Sequence, residues 1–291
     1  MVLQFIILGI VNSGVYALIA VGLSLLFGVV RVINVAQGEW LTFGGYMAVV
    51  LLGTLGMNSF LGIVGAGVAT ALLALLVYFL FVAPLRKRMG ARSPGSTYLV
   101  LTLGISMLLQ NSYILIASPN FRRVPVFVKG VSNLAGLLIT NQRLAVFGIA
   151  TLLLILFFLF LRYAKIGMAI RAVAQNPTAA LCSGISVHAA LATAFVISGI
   201  CAGVGGVLIG STLRIYPTFG FELLLKGFAV TVVGGLGNLA GALIAAYMIG
   251  ITEALAVMLL PSEWKAAVAF TLMIVVLILR PQGLFGQRGR L

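Results

Sequence analysis

The 291 residues are 62% hydrophobic and 8% charged, with a mean hydropathy of +1.24, whereas soluble domains carry about 25% charged residues. Eighteen Lys and Arg against four Glu and no Asp leave a net charge of +14. In a soluble chain that balance points to nucleic acid. Here most cations flank apolar runs and read as topology signals, so no nucleic-acid partner is expected.

The absence of Asp excludes further chemistry. There is no Walker-B acid and no G-x-x-x-x-G-K-[ST] loop, so the chain is not expected to hydrolyse ATP or to be an enzyme. Cys182 and Cys201 are isolated and His188 is the single histidine, which offers no metal cluster and implies no cofactor. An intramembrane enzyme would need a catalytic constellation at depth that one His and no Asp do not supply.

In chain order, apolar runs predict helices near 3–30, 40–57, 61–83, 96–117, 144–161, 188–211, 222–258 (broken) and 264–280. A span needs roughly 20 apolar residues, and the solid runs lack the alternation of a β-barrel. The fold class is therefore all-α: a polytopic bundle of about eight membrane segments, some broken or half-membrane, forming one domain over 1–291. The first run has no basic region or cleavage site and reads as a membrane helix, not a cleaved signal.

The first interruption is "RVINVAQGEWLTFGGYM" (31–47), which carries Asn34, Gln37, Gly38 and Glu39. An interfacial loop with Trp40 in the aromatic belt is the plain reading. That leaves Glu39 unexplained, because apolar helix follows it at once. Ionisable groups inside membrane segments default to functional hypotheses. Glu253, in "GITEALAVML", is placed similarly, and Lys226 lies one turn after Glu222, where an i,i+4 ion pair is expected.

Three connections are basic: 83–96, with Arg86, Lys87, Arg88 and Arg92; 161–188, with Arg162, Lys165 and Arg171; and the tail, with Arg280, Arg288 and Arg290. Together they hold ten cations, against six on the opposite face, which makes theirs the cytoplasmic face by the positive-inside rule. Segment 222–258 then starts and ends outside, and a half-membrane dip turning at "VVGGLGNLAG" (232–241) is expected. This glycine run superficially matches a dinucleotide fingerprint, but no soluble βαβ unit surrounds it. Paired interruptions in a membrane chain point instead to a transport pathway. Gly199, Gly203, Gly206 and Gly210 predict a smooth helix face for close packing. The polar insert 167–187 is too long for an idle loop and reads as a docking element for a soluble protein.

The stretches "INVAQGEW", "ISMLLQNSY", "GMAIRAVAQNPTAALCSGI", "VVGGLGNLAGALIAA", "ITEAL" and "RPQGLFG" resemble, in order along essentially the whole chain, the permease subunits of branched-chain amino acid ABC importers of the LivH kind. The resemblance implies a multi-pass inner-membrane permease that works with a second homologous permease. Two cytoplasmic ATP-binding subunits and an extracytoplasmic substrate-binding protein complete such an importer. It places Arg171, Ala172, Asn176, Ala180, Gly184 and Ile185 in an ATPase-coupling loop. The polar breaks themselves make Asn34, Gln37, Gly38, Glu39, Gln110, Asn111, Gly234, Gly235, Gly237 and Asn238 the expected translocation pathway, with Lys226 and Glu253 as buried ionisable groups of structural or gating role. Two positions depart from the family pattern: Asn-Pro stands near 176 in place of an acid, and Gln37 replaces His in "AHGE", where it would adjust selectivity or gating. A related permease for urea or short amides, or an ATP-independent secondary transporter, are the alternative readings.

Overall fold

Inside lipid every backbone N–H must find a partner within the chain, and helices provide it. The computed structural model describes residues 2–89, 95–117, 120–134, 137–258, 261 and 264–286; Arg92, Arg288 and Arg290 lie outside the described residues. The order is α1 (Val2–Val30), α2 (Gln37–Ala48), α3 (Ser59–Val77), α4 (Ala83–Met89) and α5 (Gly95–Ala117). A short antiparallel hairpin follows, β1 (Val131–Leu134) and β2 (Leu137–Thr140), with Val131 opposite Thr140. Then come α6 (Asn141–Tyr163), α7 (Lys165–Gln175), α8 (Pro177–Cys182), α9 (Val187–Gly210), α10 (Phe219–Gly234), α11 (Leu239–Ala256) and α12 (Lys265–Leu279). Helix α2 runs on through a π-helical stretch at Val49–Thr54, and a second, Tyr78–Val82, joins α3 to α4. Among the described residues six helical segments are long and apolar enough to cross a membrane: Val2–Val30, Ser59–Arg88, Gly95–Ala117, Asn141–Tyr163, Val187–Gly210 and Leu239–Ala256.

Two helices form the centre. Helix α1 packs on α6, α9, α10 and α11, and α9 packs on α1, α2 and α3. The glycine face of α9 allows this. A Cβ on Gly206 would collide with the Leu41 carbonyl of α2, and one on Gly203 would lie 2.6 Å from Thr70 Oγ1 of α3. Between membrane helices there is little hydrophobic drive, so such close approach is what holds them.

The bundle has two distinct ends. At one end Arg31 donates to the Gln175 carbonyl oxygen (3.4 Å), and Tyr78 bonds His188 Nδ1 (2.8 Å). The end of α1, the end of α6, helix α7, the α10–α11 turn and residues 281–286 line a common cleft there. At the other end Arg122 and Ile215 form a backbone bridge and Phe121 packs edge-on to Tyr216. The start of α1 lies at this second end, where Gly9 meets Gly250 and Ile251 near the end of α11. Arg31 thus lies on the α7 face.

Candidate functional site

The first break is shorter than expected. Helix α2 begins at Gln37, not at 40, so only 31–36 are non-helical, and Glu39 falls in the first turn, where the helix dipole favours an acid. Arg31 turns the chain with φ of 60°, in the left-handed region uncommon for a residue with a side chain. Val35 N–H donates to Thr102 Oγ1 (3.3 Å), Ser106 Oγ donates to Glu39 Oε1 (3.1 Å), and Tyr113 O–H donates to the Glu39 carbonyl (3.0 Å). The break is therefore bound to α5 at three successive levels. The hydroxyl partners on α5 were not legible in the sequence; their only signal was a polar residue every three to seven positions along an apolar run.

All of these polar residues are enclosed by the chain. Gln37 and Glu39 are fully buried and Asn34 nearly so. Both side-chain polar atoms of Asn34 and of Gln37, and Oε2 of Glu39, have no hydrogen-bond partner among the described residues. Gly38 is required by contact: a Cβ there would lie 2.8 Å from the Gly220 carbonyl of α10. Trp40 is also fully buried and meets Phe195 edge-on at 5.9 Å, so it is a core residue and not part of an aromatic belt. On α5, Asn111 is exposed and donates back to the Met107 carbonyl (2.7 Å), while Gln110 is half-buried.

The i,i+4 pair expected between Glu222 and Lys226 does not form. Lys226 Nζ instead donates to Glu253 Oε1 of α11 (3.0 Å) and lies 3.3 Å from Tyr16 Oη, whose hydroxyl donates to Glu253 Oε2 (3.0 Å). A packed α10–α11 hairpin against α1 brings these three together, which local spacing does not encode. Glu222 accepts from the Tyr216 hydroxyl (2.6 Å) in the connection between α9 and α10. Burial, then that hydrogen bond and the Glu222 charge, push the Tyr216 phenol up to about 12.

The second break, Gly235–Asn238, is a turn at the α7 end, not a turn at mid-depth. Gly235 and Gly237 have φ of 102° and 80°. Leu284 N–H donates to the Val233 carbonyl (2.9 Å), Asn238 Nδ2 donates to the Phe285 carbonyl (2.8 Å), and Asn238 Oδ1 caps α11 by accepting from Gly241 N–H (3.0 Å). Gly234 leaves no room for a Cβ because Gly241 and Ala242 press on it. The turn rests on Gly28 of α1, whereas Gly38 lies against Gly220. The two breaks are not brought side by side.

The insert folds as two short helices. Gly167, Ile170 and Val173 are the inward face of α7, and Ala180 that of α8. Asn176 Oδ1 accepts from Thr178 and Ala179 N–H (3.0 and 3.1 Å), with Pro177 at the first helical position, so Asn-Pro supplies a helix start. Gly184, φ 76°, closes α8, with Ile185 N–H donating to the Ala180 carbonyl (3.0 Å). Arg171 is exposed and Ala172 half-buried. Ile166, Met168 and Leu181 are 51%, 46% and 59% exposed on the outer surface. Cys182 is free and exposed, and Cys201 free and buried.

The profile of the family described as branched-chain amino acid transport system / permease component matches residues 5–277. The high-affinity branched-chain amino acid transport system permease protein LivH of Salmonella typhimurium is 32% identical over 296 residues, covering 98% of this chain and 96% of that protein. BraD of Pseudomonas aeruginosa, of the same description, is 29% identical with the same coverage. The probable branched-chain amino acid transport permease protein LivH of Methanocaldococcus jannaschii is 31% identical over 95% of this chain and 90% of its own. A match through α1 to α12, on a multi-pass helical bundle, places this chain in the branched-chain amino acid transport system permease family.

Proposed function

We propose that the chain is the membrane-spanning subunit of an ATP-driven importer that moves branched-chain or other neutral, apolar amino acids across the inner membrane. The observation that carries this is similarity over nearly the whole length to relatives named as branched-chain amino acid permeases. In this reading residues 1–291 form one permease domain and the α7 end faces the cytoplasm. Two separate ATP-binding subunits hydrolyse ATP, a second homologous permease completes the membrane unit, and an extracytoplasmic binding protein delivers the substrate.

The docking element is α7–α8, with Arg171, Ala172, Asn176, Ala180, Gly184 and Ile185. Exposed Ile166, Met168 and Leu181, on a segment too polar to span, support it, because apolar side chains on such a surface mark contact sites. The pathway runs beside the α2–α5 seam, past Asn34, Gln37, Gly38, Glu39, Gln110 and Asn111. Orphaned polar atoms on α2 would offer a zwitterion passing hydrogen bonds without a tight site. Gly234, Gly235, Gly237 and Asn238 contribute as the inner turn, held by the tail next to α7.

Met168→Glu with Leu181→Glu tests the reading. Membrane insertion should be unchanged, while co-purification of the ATP-binding subunits and uptake of labelled leucine are lost. Intact assembly and uptake in the double variant would reject α7–α8 as the docking element.

A further inference from the structure

A cleft of about 980 Å³ at the α7 end shares Arg171, Gly237 and Asn238 with the proposed transport machinery, but its apolar depth has no part in that reading. That is the upper end of the usual range for ligand pockets, roughly 300–1,000 Å³. Its depth is apolar: Leu25 of α1, Phe158 and Leu159 of α6, and Leu277 of α12 line it. Helix α6 packs on α1, α7 and α9, whereas α12 packs on α10 and α11, so the cleft lies between two helices that build no interface with each other. It reaches back along α1 to Ser24, six residues before the helix ends at Val30. At 1.5 Å per residue that is about 9 Å into the span.

The rim is cationic. Arg162 and Arg171 both line the cleft. Among the described residues Arg171 Nη2 donates to the Arg162 carbonyl alone (3.3 Å), and the Arg162 guanidinium lies over the Tyr163 ring at 5.5 Å. The one ion pair among the described residues is Lys226–Glu253, so neither guanidinium meets a carboxylate there. Gln175 and Gln282 stand on the same rim. Uncompensated guanidinium groups at the mouth of an apolar slot call for an anion with a hydrocarbon tail. A peptide from solution would carry unpaired backbone groups into that depth; an acyl chain carries none.

The geometry points to a seat for one anionic phospholipid of the α7-side leaflet, its phosphodiester between Arg162 and Arg171 and an acyl chain along Leu25, Phe158 and Leu277. Basic pockets between helices on the inner side of a membrane are suited to such headgroups. Arg162 is not part of the proposed docking set, so the test is independent of the transport reading.

The full-length chain carrying Phe158→Trp, reconstituted in phosphatidylcholine vesicles, reports contact through quenching by lipids with brominated acyl chains. The same chain without Phe158→Trp sets the background from Trp40 and Trp264. Brominated phosphatidylglycerol should quench at a membrane fraction about twenty-five-fold lower than brominated phosphatidylcholine, roughly fivefold for each of the two basic residues beside the anionic headgroup. Arg162→Gln should remove most of that preference and Arg162→Lys should keep much of it, with no competition from added inorganic phosphate. Equal quenching by the two lipids overturns the proposal. So does a preference unchanged by Arg162→Gln, quenching by neither lipid, or displacement by inorganic phosphate.

Discussion

Lys226, Glu253 and Tyr16 show what an isolated residue costs in this bundle. Glu253 is 6% exposed at its side chain and Lys226 21%, so each faces the other more than it faces solvent. Removing one partner of a buried pair typically costs about 3–5 kcal/mol, while replacing both with apolar groups is often neutral. Lys226→Met alone should therefore lower the thermal unfolding midpoint in detergent strongly, the partial exposure of Lys226 placing the loss near the low end of that range. Lys226→Met with Glu253→Leu should recover most of it. If the double variant is as unstable as the single one, the pair is not the reason for the loss. Glu39 differs, because Ser106 satisfies one oxygen and the other is orphaned. Glu39→Gln keeps the shape of the side chain, so uptake per molecule of inserted protein should fall at least about tenfold while protein level changes little. Uptake equal to the parent would leave Glu39 as a helix-start residue only.

At the scale of elements, α9 is held by what its glycines lack. A side chain on Gly206 would have to displace the Leu41 backbone, whereas a Cβ on Gly148 of α6 meets nothing within 4 Å. Gly206→Val should separate α2 from α9, measured as loss of folded protein on detergent gel filtration, and Gly148→Ala should leave it unchanged. Equal behaviour of the two variants would contradict the close α2–α9 approach. Helices α7 and α8 follow the opposite rule. Their packing on the bundle uses Gly167, Ile170, Val173 and Ala180, and Ile166, Met168 and Leu181 stay exposed. Gly184→Ala, at φ 76°, should cost about 1 kcal/mol through backbone strain, seen as a small loss of midpoint.

The proposed orientation of the whole molecule, with the α7 end inside, can be tested by labelling. An impermeant thiol reagent added outside intact cells should label Leu3→Cys and not Leu181→Cys, in a background carrying Cys182→Ser and Cys201→Ala. The reverse pattern would invert the proposed orientation. The tail serves this same end: Leu284 and Phe285 tie the α10–α11 turn beside α7, so the segment proposed to meet the ATP-binding subunits and the turn at the foot of the bundle share one wall.

Length, apolar runs and the lack of Asp were enough, by sequence alone, for the helical membrane class, the order of the helices and the positions of the two breaks. These depend on local composition and on motifs that survive in linear order. The glycine spacing of α9 announced close packing but not its partner. The identity of every buried contact came from tertiary structure. Lys226 meets Glu253 rather than Glu222 because α10 and α11 fold into a hairpin against α1, and Trp40 is core rather than belt because α2 lies under α9. Glu39 finds Ser106 across 67 positions of sequence. Spacing along one helix cannot report a partner on another, since which faces meet is decided only when the whole bundle closes.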